Sequence, residues 1–266
     1  MLSGKRSGSL AQEFEFEKLK GELKDKPDQF AVKCNGAWIV PRVMQSRRRK
    51  TVSFEIKHGE LVIRMPVGTP EQWVLQLMQQ RRVWIEEHMV AQLTRQKRYQ
   101  INPYETRCAP LQGRDIPLLI RQSTNRSSVV LCEEAFEINL SGRIRRSPES
   151  VTNALLQAWL AEKAKEYLIP RTLALSSIVG LRPDKVSIGN YKTMWGRCSA
   201  KGDIALNWRL MMAAPDAIDY VIIHELCHLR EFNHSAAFWR EVALYCPEMS
   251  KWRYYFKERS VWLQWR

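Results

Sequence analysis

The 266-residue sequence predicts an α+β chain, with β-hairpins and one long helix ahead of a mostly helical part that holds a small sheet. Three observations predict it. Apolar residues alternate with polar ones in two stretches, 52–65 and 116–140. They recur at three- and four-residue spacing after Pro70, Pro148 and Pro215, and no internal repeat or low-complexity tract interrupts the series.

Residues 1–36 read as a polar, partly ordered tail, with a short helical pattern around Phe14, Phe16 and Leu19 and a breaker at Pro27. From Trp38 to Pro66, the alternation of Val52, Phe54, Ile56 and of Leu61, Ile63, Met65 about His58-Gly59-Glu60 predicts a β-hairpin. Thr69-Pro70-Glu71 starts a helix, because the fixed φ of proline suits a first turn. Trp73, Val74, Leu77, Val83, Trp84 and Met89 carry it to about Gln96. A second strand group follows at 116–120, 129–131 and 136–140. After Ser147-Pro148, residues Val151, Leu155, Trp159, Ala161 and Leu168 mark a long helix. Pro170 should end it, and a shorter helix runs on to Gly180. Residues 185–188 and 204–207 read as strands, with 196–202 as the turn region between them. Pro215-Asp216 opens the last core helix, apolar at Ile218, Val221, Ile222, Cys227 and Leu229. The expected division is a tail over 1–36, a β-rich region with one long helix over 37–146, and a second domain over 147–266.

Composition bounds the function. With 45% hydrophobic residues and ten Trp, the chain can bury a substantial core. The six cysteines (Cys34, Cys108, Cys132, Cys198, Cys227, Cys246) form no C-x-x-C pair. No apolar signal segment follows Met1-Leu2-Ser3-Gly4-Lys5, which points to a reduced, cytoplasmic protein. No apolar run approaches the length of a membrane span, so no membrane partner is expected. The formal charge of +14 raises the local concentration of polyanions and makes a nucleotide, nucleic acid or acidic protein a possible partner. The excess is spread over Arg47-Arg48-Arg49-Lys50, Arg81-Arg82 and 143–146, as a general field rather than one arm.

Three of the five histidines fall within 224–234. On a helix His224 and His228 lie on one face and can address one metal ion, with Glu225 one step round the turn. That is the pattern of a zinc hydrolase: His224, His228 and His234 as ligands of Zn2+, and Glu225 as the base that takes a proton from a zinc-activated water. Cys227 should face away from the metal in a small apolar role. Asn233, which tolerates the left-handed conformation, is placed to reverse the chain and bring His234 back. Ser235 should cap a second amphipathic helix carrying Phe238, Trp239, Val242 and Tyr245 and stopped by Pro247.

Taken together, Met194-Trp195-Gly196-Arg197-Cys198-Ser199, Ile204-Ala205-Leu206-Asn207, Ile218-Asp219-Tyr220-Val221, the His224–His228 motif, Asn233-His234-Ser235 and Phe238-Trp239 resemble the YgjP-like metallopeptidase domain family. Upstream, Arg48-Arg49-Lys50-Thr51 and a hairpin at Leu111-Gln112-Gly113-Arg114 extend the resemblance to about 38–260. The family is similar to the SprT-like and WLM zinc proteases. The resemblance implies a zincin-like domain over 147–266 acting on a peptide or protein substrate. Two positions depart from the family pattern: Met194 stands where Arg is usual before Trp-Gly, and Arg197 where Ser is usual before Cys. Both lie in the presumed substrate strand. In proteases that resemble this one, a strand ahead of the metal helix pairs with extended substrate; 194–200 or 204–207 would supply it. Arg197 and Asn207 are candidates for substrate binding, and with Tyr191 for holding an oxyanion. The resemblance also admits a nucleoside triphosphate (UTP) pyrophosphohydrolase, and similarity to the SprT group admits a DNA-associated protease. Against the first, the sequence has no Walker A pattern and no carboxylate cluster for Mg2+.

Overall fold

The computed structural model describes residues 32–34, 37–57 and 59–265, and the expected features of the first 31 residues lie outside them. Short strands β1 (Val32–Cys34) and β2 (Ala37–Ile39) pair antiparallel. The chain forms two compact units, Met1–Arg98 and Tyr99–Arg266, dividing earlier in the chain than residue 147.

In the first unit, the expected hairpin is β4 (Ser53–Lys57) against β5 (Glu60–Pro66). A third strand, β3 (Arg42–Ser46), lies parallel to β5 on its other side and was not foreseen. Its residues are mostly exposed and carry no alternation to read. Leu61, Ile63 and Met65 of β5 are buried with Val74 and Met78 of α1 (Glu71–Gln80) and Ile85 and Met89 of α2 (Arg82–Tyr99). The single long helix expected here is thus two, broken at Arg81 (φ −94°, ψ 8°), where neither Pro nor Gly marks the break.

The second unit begins with a short helix, α3 (Pro103–Thr106), and a four-stranded sheet. Its order is β6-β7-β9-β8, built from β6 (Cys108–Leu111), β7 (Arg114–Ser123), β8 (Ser128–Cys132) and β9 (Ala135–Ser141). Strands β7 and β9 run parallel, while β6 and β8 pair antiparallel with their neighbours. Phe136, Ile138 and Leu140 of β9 are buried in a core shared with Leu156, Leu160, Leu168 and Leu175 of the long helix that follows.

Helix α4 (Pro148–Val179) is capped by the Ser147 side chain and closed by Gly180 in the left-handed conformation. It runs straight through Pro170, which overturns the break expected there. Pro170 and Glu166, whose carbonyl loses its partner, are both exposed, so water can satisfy that group. Leu168 and Thr172 on the opposite face are buried and hold the helix to the core.

A three-stranded sheet of order β10-β12-β11 follows. Strand β10 (Lys185–Gly189) runs parallel to β12 (Asp203–Asn207), as expected for two strands there. Residues 196–198, expected as part of a turn, form an edge strand, β11 (Gly196–Cys198), antiparallel to β12. After a 3₁₀ turn at Trp208–Met212 come α5 (Pro215–Cys227), α6 (Ala236–Tyr245) and α7 (Met249–Glu258). The Gln112-Gly113 turn fixes the start of α5. Gln112 and Gly113 donate backbone N–H bonds to Met211 and Met212 (2.7 and 3.2 Å). Gly113 has φ 78°, and a Cβ there would lie 2.9 Å from Ala214 Cα. The bidentate pair of Arg171 with Asp219 ties α4 to α5. Among the described residues, no helix is long and apolar enough to cross a membrane.

Candidate metal centre

Helix α5 is buried nearly all round, with Ala217, Ile218, Val221, Ile222, Ile223, Leu226 and Cys227 in the core. Its last turn carries His224 and Glu225. The helix ends at Cys227, and His228 is its cap, still right-handed (φ −66°, ψ −15°), so the two imidazoles remain one helical turn apart. Arg230 and Glu231 then donate N–H bonds to the Cys227 carbonyl, and the chain returns to His234 without any left-handed residue. Asn233 therefore does not play the conformational part expected of it. Ser235 does: its hydroxyl accepts from Phe238 N at 3.2 Å and caps α6.

The ligand nitrogens of His224, His228 and His234 all lie within 4.8 Å of one another. His224 Nε2 is 3.1 Å from His234 Nε2. Tetrahedral zinc with Zn–N bonds of about 2.0–2.1 Å would set two ligand nitrogens about 3.3–3.4 Å apart. His228 Nδ1 lies 2.9 Å from the Glu231 carbonyl, which fixes that nitrogen as the donor and leaves Nε2 its lone pair. Burial, then the neighbouring His228 and His234 and the Arg253 charge, push His224 down to about 3. His234 is lowered by burial, His228 and Arg253. The His224 and His234 rings are thus kept neutral, the form a metal requires, and together with His228 they fit a three-histidine zinc site. Buried Phe238 lies against all three rings, with centroids 4.4 Å from His228 and 4.9 Å from both His224 and His234. Trp239 stacks on His234 at 5.4 Å.

Glu225 is buried, and burial raises its carboxyl to about 8. It faces β11 so closely that a Cβ on Gly196 would lie 2.8 Å from Glu225 Oε1. Any larger residue there would displace the Glu225 side chain. A cleft of about 420 Å³ opens over this point, lined among others by Trp195, Gly196, Tyr220, His224, Glu225 and Trp239. Tyr220, one turn before His224, was missed in the sequence although its i−4 spacing marks the same face.

The remaining sequence candidates are scattered. Arg197 is exposed on β11, its guanidinium 5.4 Å from the Tyr191 ring centroid. Asn207 is fully buried and committed to the fold: Nδ2 donates to the carbonyls of Tyr191 (2.7 Å) and Met194 (3.0 Å), and Oδ1 accepts from Arg209 N. Neither Cys198 nor Cys227 joins the histidine cluster. Burial raises Cys227 to about 12, and burial followed by Glu225 and Asp203 raises Cys198 to about 11, so both are thiols.

A family model described as YgjP-like, metallopeptidase domain matches residues 50–259. Among solved structures, the metallopeptidase zymogen of Pyrococcus abyssi abylysin is 26% identical. The match covers 34% of this chain and 93% of that one, with a TM-score of 0.32. No curated protein matches the chain.

Proposed function

The chain belongs to the YgjP-like metallopeptidase family, and from that premise we propose a zinc-dependent peptidase in which His224, His228 and His234 hold the ion and Glu225 is the general base. The observation that carries this reading is the convergence of three imidazoles beside one buried carboxyl in a cleft. Zinc held there would supply a Lewis acid that polarises a peptide carbonyl and acidifies water. Glu225 takes the proton of the attacking water on a carboxylate oxygen and passes it to the leaving amide nitrogen.

Strand β11 is suited to hold the peptide. Trp195, Arg197 and Ser199 face Asn207, Ala205 and Asp203 across the ladder, with Asn207 N donating to Trp195 O and Ser199 N to Asp203 O. By antiparallel alternation, the backbone groups of Gly196 and Cys198 point to the free edge. An extended peptide added there passes directly by Glu225. Tyr220, at the cleft one helical turn before His224, takes the oxyanion role in place of Arg197, Tyr191 and Asn207.

The test is a peptide mixture and UTP assayed side by side with wild type and Glu225→Gln, each loaded with Zn2+. Peptide cleavage should fall by at least about a hundredfold in Glu225→Gln while one zinc per chain is retained. Hydrolysis of UTP alone, with no peptide cut, would overturn the reading.

A further inference from the structure

The cleft beside the histidine cluster has a charge pattern that zinc hydrolysis of an uncharged peptide does not need. Arg253 and Lys257 stand four residues apart on α7, share a face of it, and both line the cleft. Among the described residues lining it, Glu225 is the one acid. Elsewhere many surface cations are matched: Arg64 with Glu55, Lys163 with Glu166, Arg230 with Glu241, and Lys251, on the same helix, with Glu248. Arg253 and Lys257 have no carboxylate within 4.0 Å among the described residues.

Arg253 is also oriented. Its guanidinium carbon lies 4.2 Å from the Trp239 ring centroid, and that ring stacks on His234 with 22° between planes. A guanidinium packed on an aromatic face keeps its in-plane N–H donors free, the geometry that grips a carboxylate with two parallel hydrogen bonds. The Trp239 ring is 5.7 Å from His224 as well, so the free donors sit beside the metal ligands rather than at a remote rim.

We infer that Arg253 and Lys257 form a carboxylate-binding subsite, so that the preferred peptide carries a negative charge within a residue or two of the bond that is cut. The inference rests on the peptidase reading. The carboxylate has two sources, a free C-terminus or an acidic side chain, and the two make different enzymes: the first trims chain ends, the second selects internal acidic sites.

The experiment measures binding of matched peptides to zinc-loaded Glu225→Gln protein. One pair differs only in a C-terminal acid against an amide; the other pair, both amides, differs only in Glu against Gln. In one pair the charged member should bind about tenfold tighter, which identifies the source. The preference should shrink toward unity in Arg253→Gln and in Lys257→Gln, recover in part in Arg253→Lys, and weaken between about 0.05 and 0.5 M salt. Equal binding of both members in both pairs, or a preference unchanged in both Gln variants, sinks the inference. Hydrolysis of all four peptides by wild type is read separately. Survival of every one of them uncut would refute the peptidase reading and leave the binding comparison intact.

Discussion

Each imidazole of the cluster has a different support, and that fixes what single substitutions should do. His228 is held through Nδ1 by the Glu231 carbonyl, His234 by the face of Trp239, and His224 by burial against Phe238. Glu225 depends on what is missing beside it, since the bare backbone of Gly196 leaves room for its carboxyl. Gly196→Ala should keep the bound zinc and the fold but lower kcat by about a hundredfold, because the carboxyl must move away from the cleft. Full activity in that variant would show that Glu225 does not act from this position. His224, Glu225 and His228 were legible in the sequence because helical spacing is a local rule, whereas His234 was legible from its nearness in sequence, through a turn at Asn233 that the fold does not use. Gly196 was legible only as part of a motif, and Arg253 not at all, because their nearness to α5 depends on elements that meet through the fold.

Among the elements, α4 shows where local rules yield. A proline in a helix interior is read as a stop, yet α4 continues because its buried face is anchored on both sides of Pro170 and its broken turn faces water. The cost remains. Pro170→Ala should raise stability in chemical unfolding by up to about 3 kcal/mol with zinc content unchanged. No gain, or a loss, would mean that the proline ring itself is needed for packing. Helix α6 followed the sequence closely, since its Ser235 cap and apolar spacing are both local. Strand β11 did not: three residues between a Trp and a Ser carry too little pattern to tell an edge strand from a turn. The hairpin of β4–β5 was legible through its turn and that of β6–β7 through the family resemblance, whereas the parallel pairs β3–β5 and β7–β9 join segments that no turn connects.

At the scale of the whole molecule, the buried acid Glu225 and the half-buried imidazole of His224 shape stability in opposite senses. In the unfolded chain Glu225 ionises near 4.5, but folded it holds its proton up to about 8. The native state therefore binds the extra proton across that window, and metal-free protein loses stability as pH rises through it. His224 protonates near 6.5 when unfolded but stays neutral in the fold down to about 3, so stability falls as pH drops through that range. The slopes oppose one another between 4.5 and 6.5, and the Glu225 effect stands alone above 6.5. In chelator-treated protein, midpoints of urea unfolding should fall from pH 6.5 to 8 for wild type and stay flat for Glu225→Gln. Parallel curves for the two proteins would exclude a protonated Glu225 in the fold. The mixed α+β character was evident from hydrophobic periodicity. The division at Arg98 was not, because it depends on the sheet of β6–β9 sharing its core with α4 far along the chain.

The phenyl ring of Phe238 touches all three imidazoles, yet it belongs to α6 and not to the helix that bears two of them. Docking of α6 and assembly of the ligand set are therefore one equilibrium. The zinc proposed for this site, bound only by the assembled set, would add RT ln(1 + [Zn]/Kd) to the docked state, about 4 kcal/mol at a thousandfold excess over Kd. Metal occupancy thereby becomes a gauge of order in the last third of the chain. A weakened α6 would first be seen as a looser zinc constant, before any helix is lost.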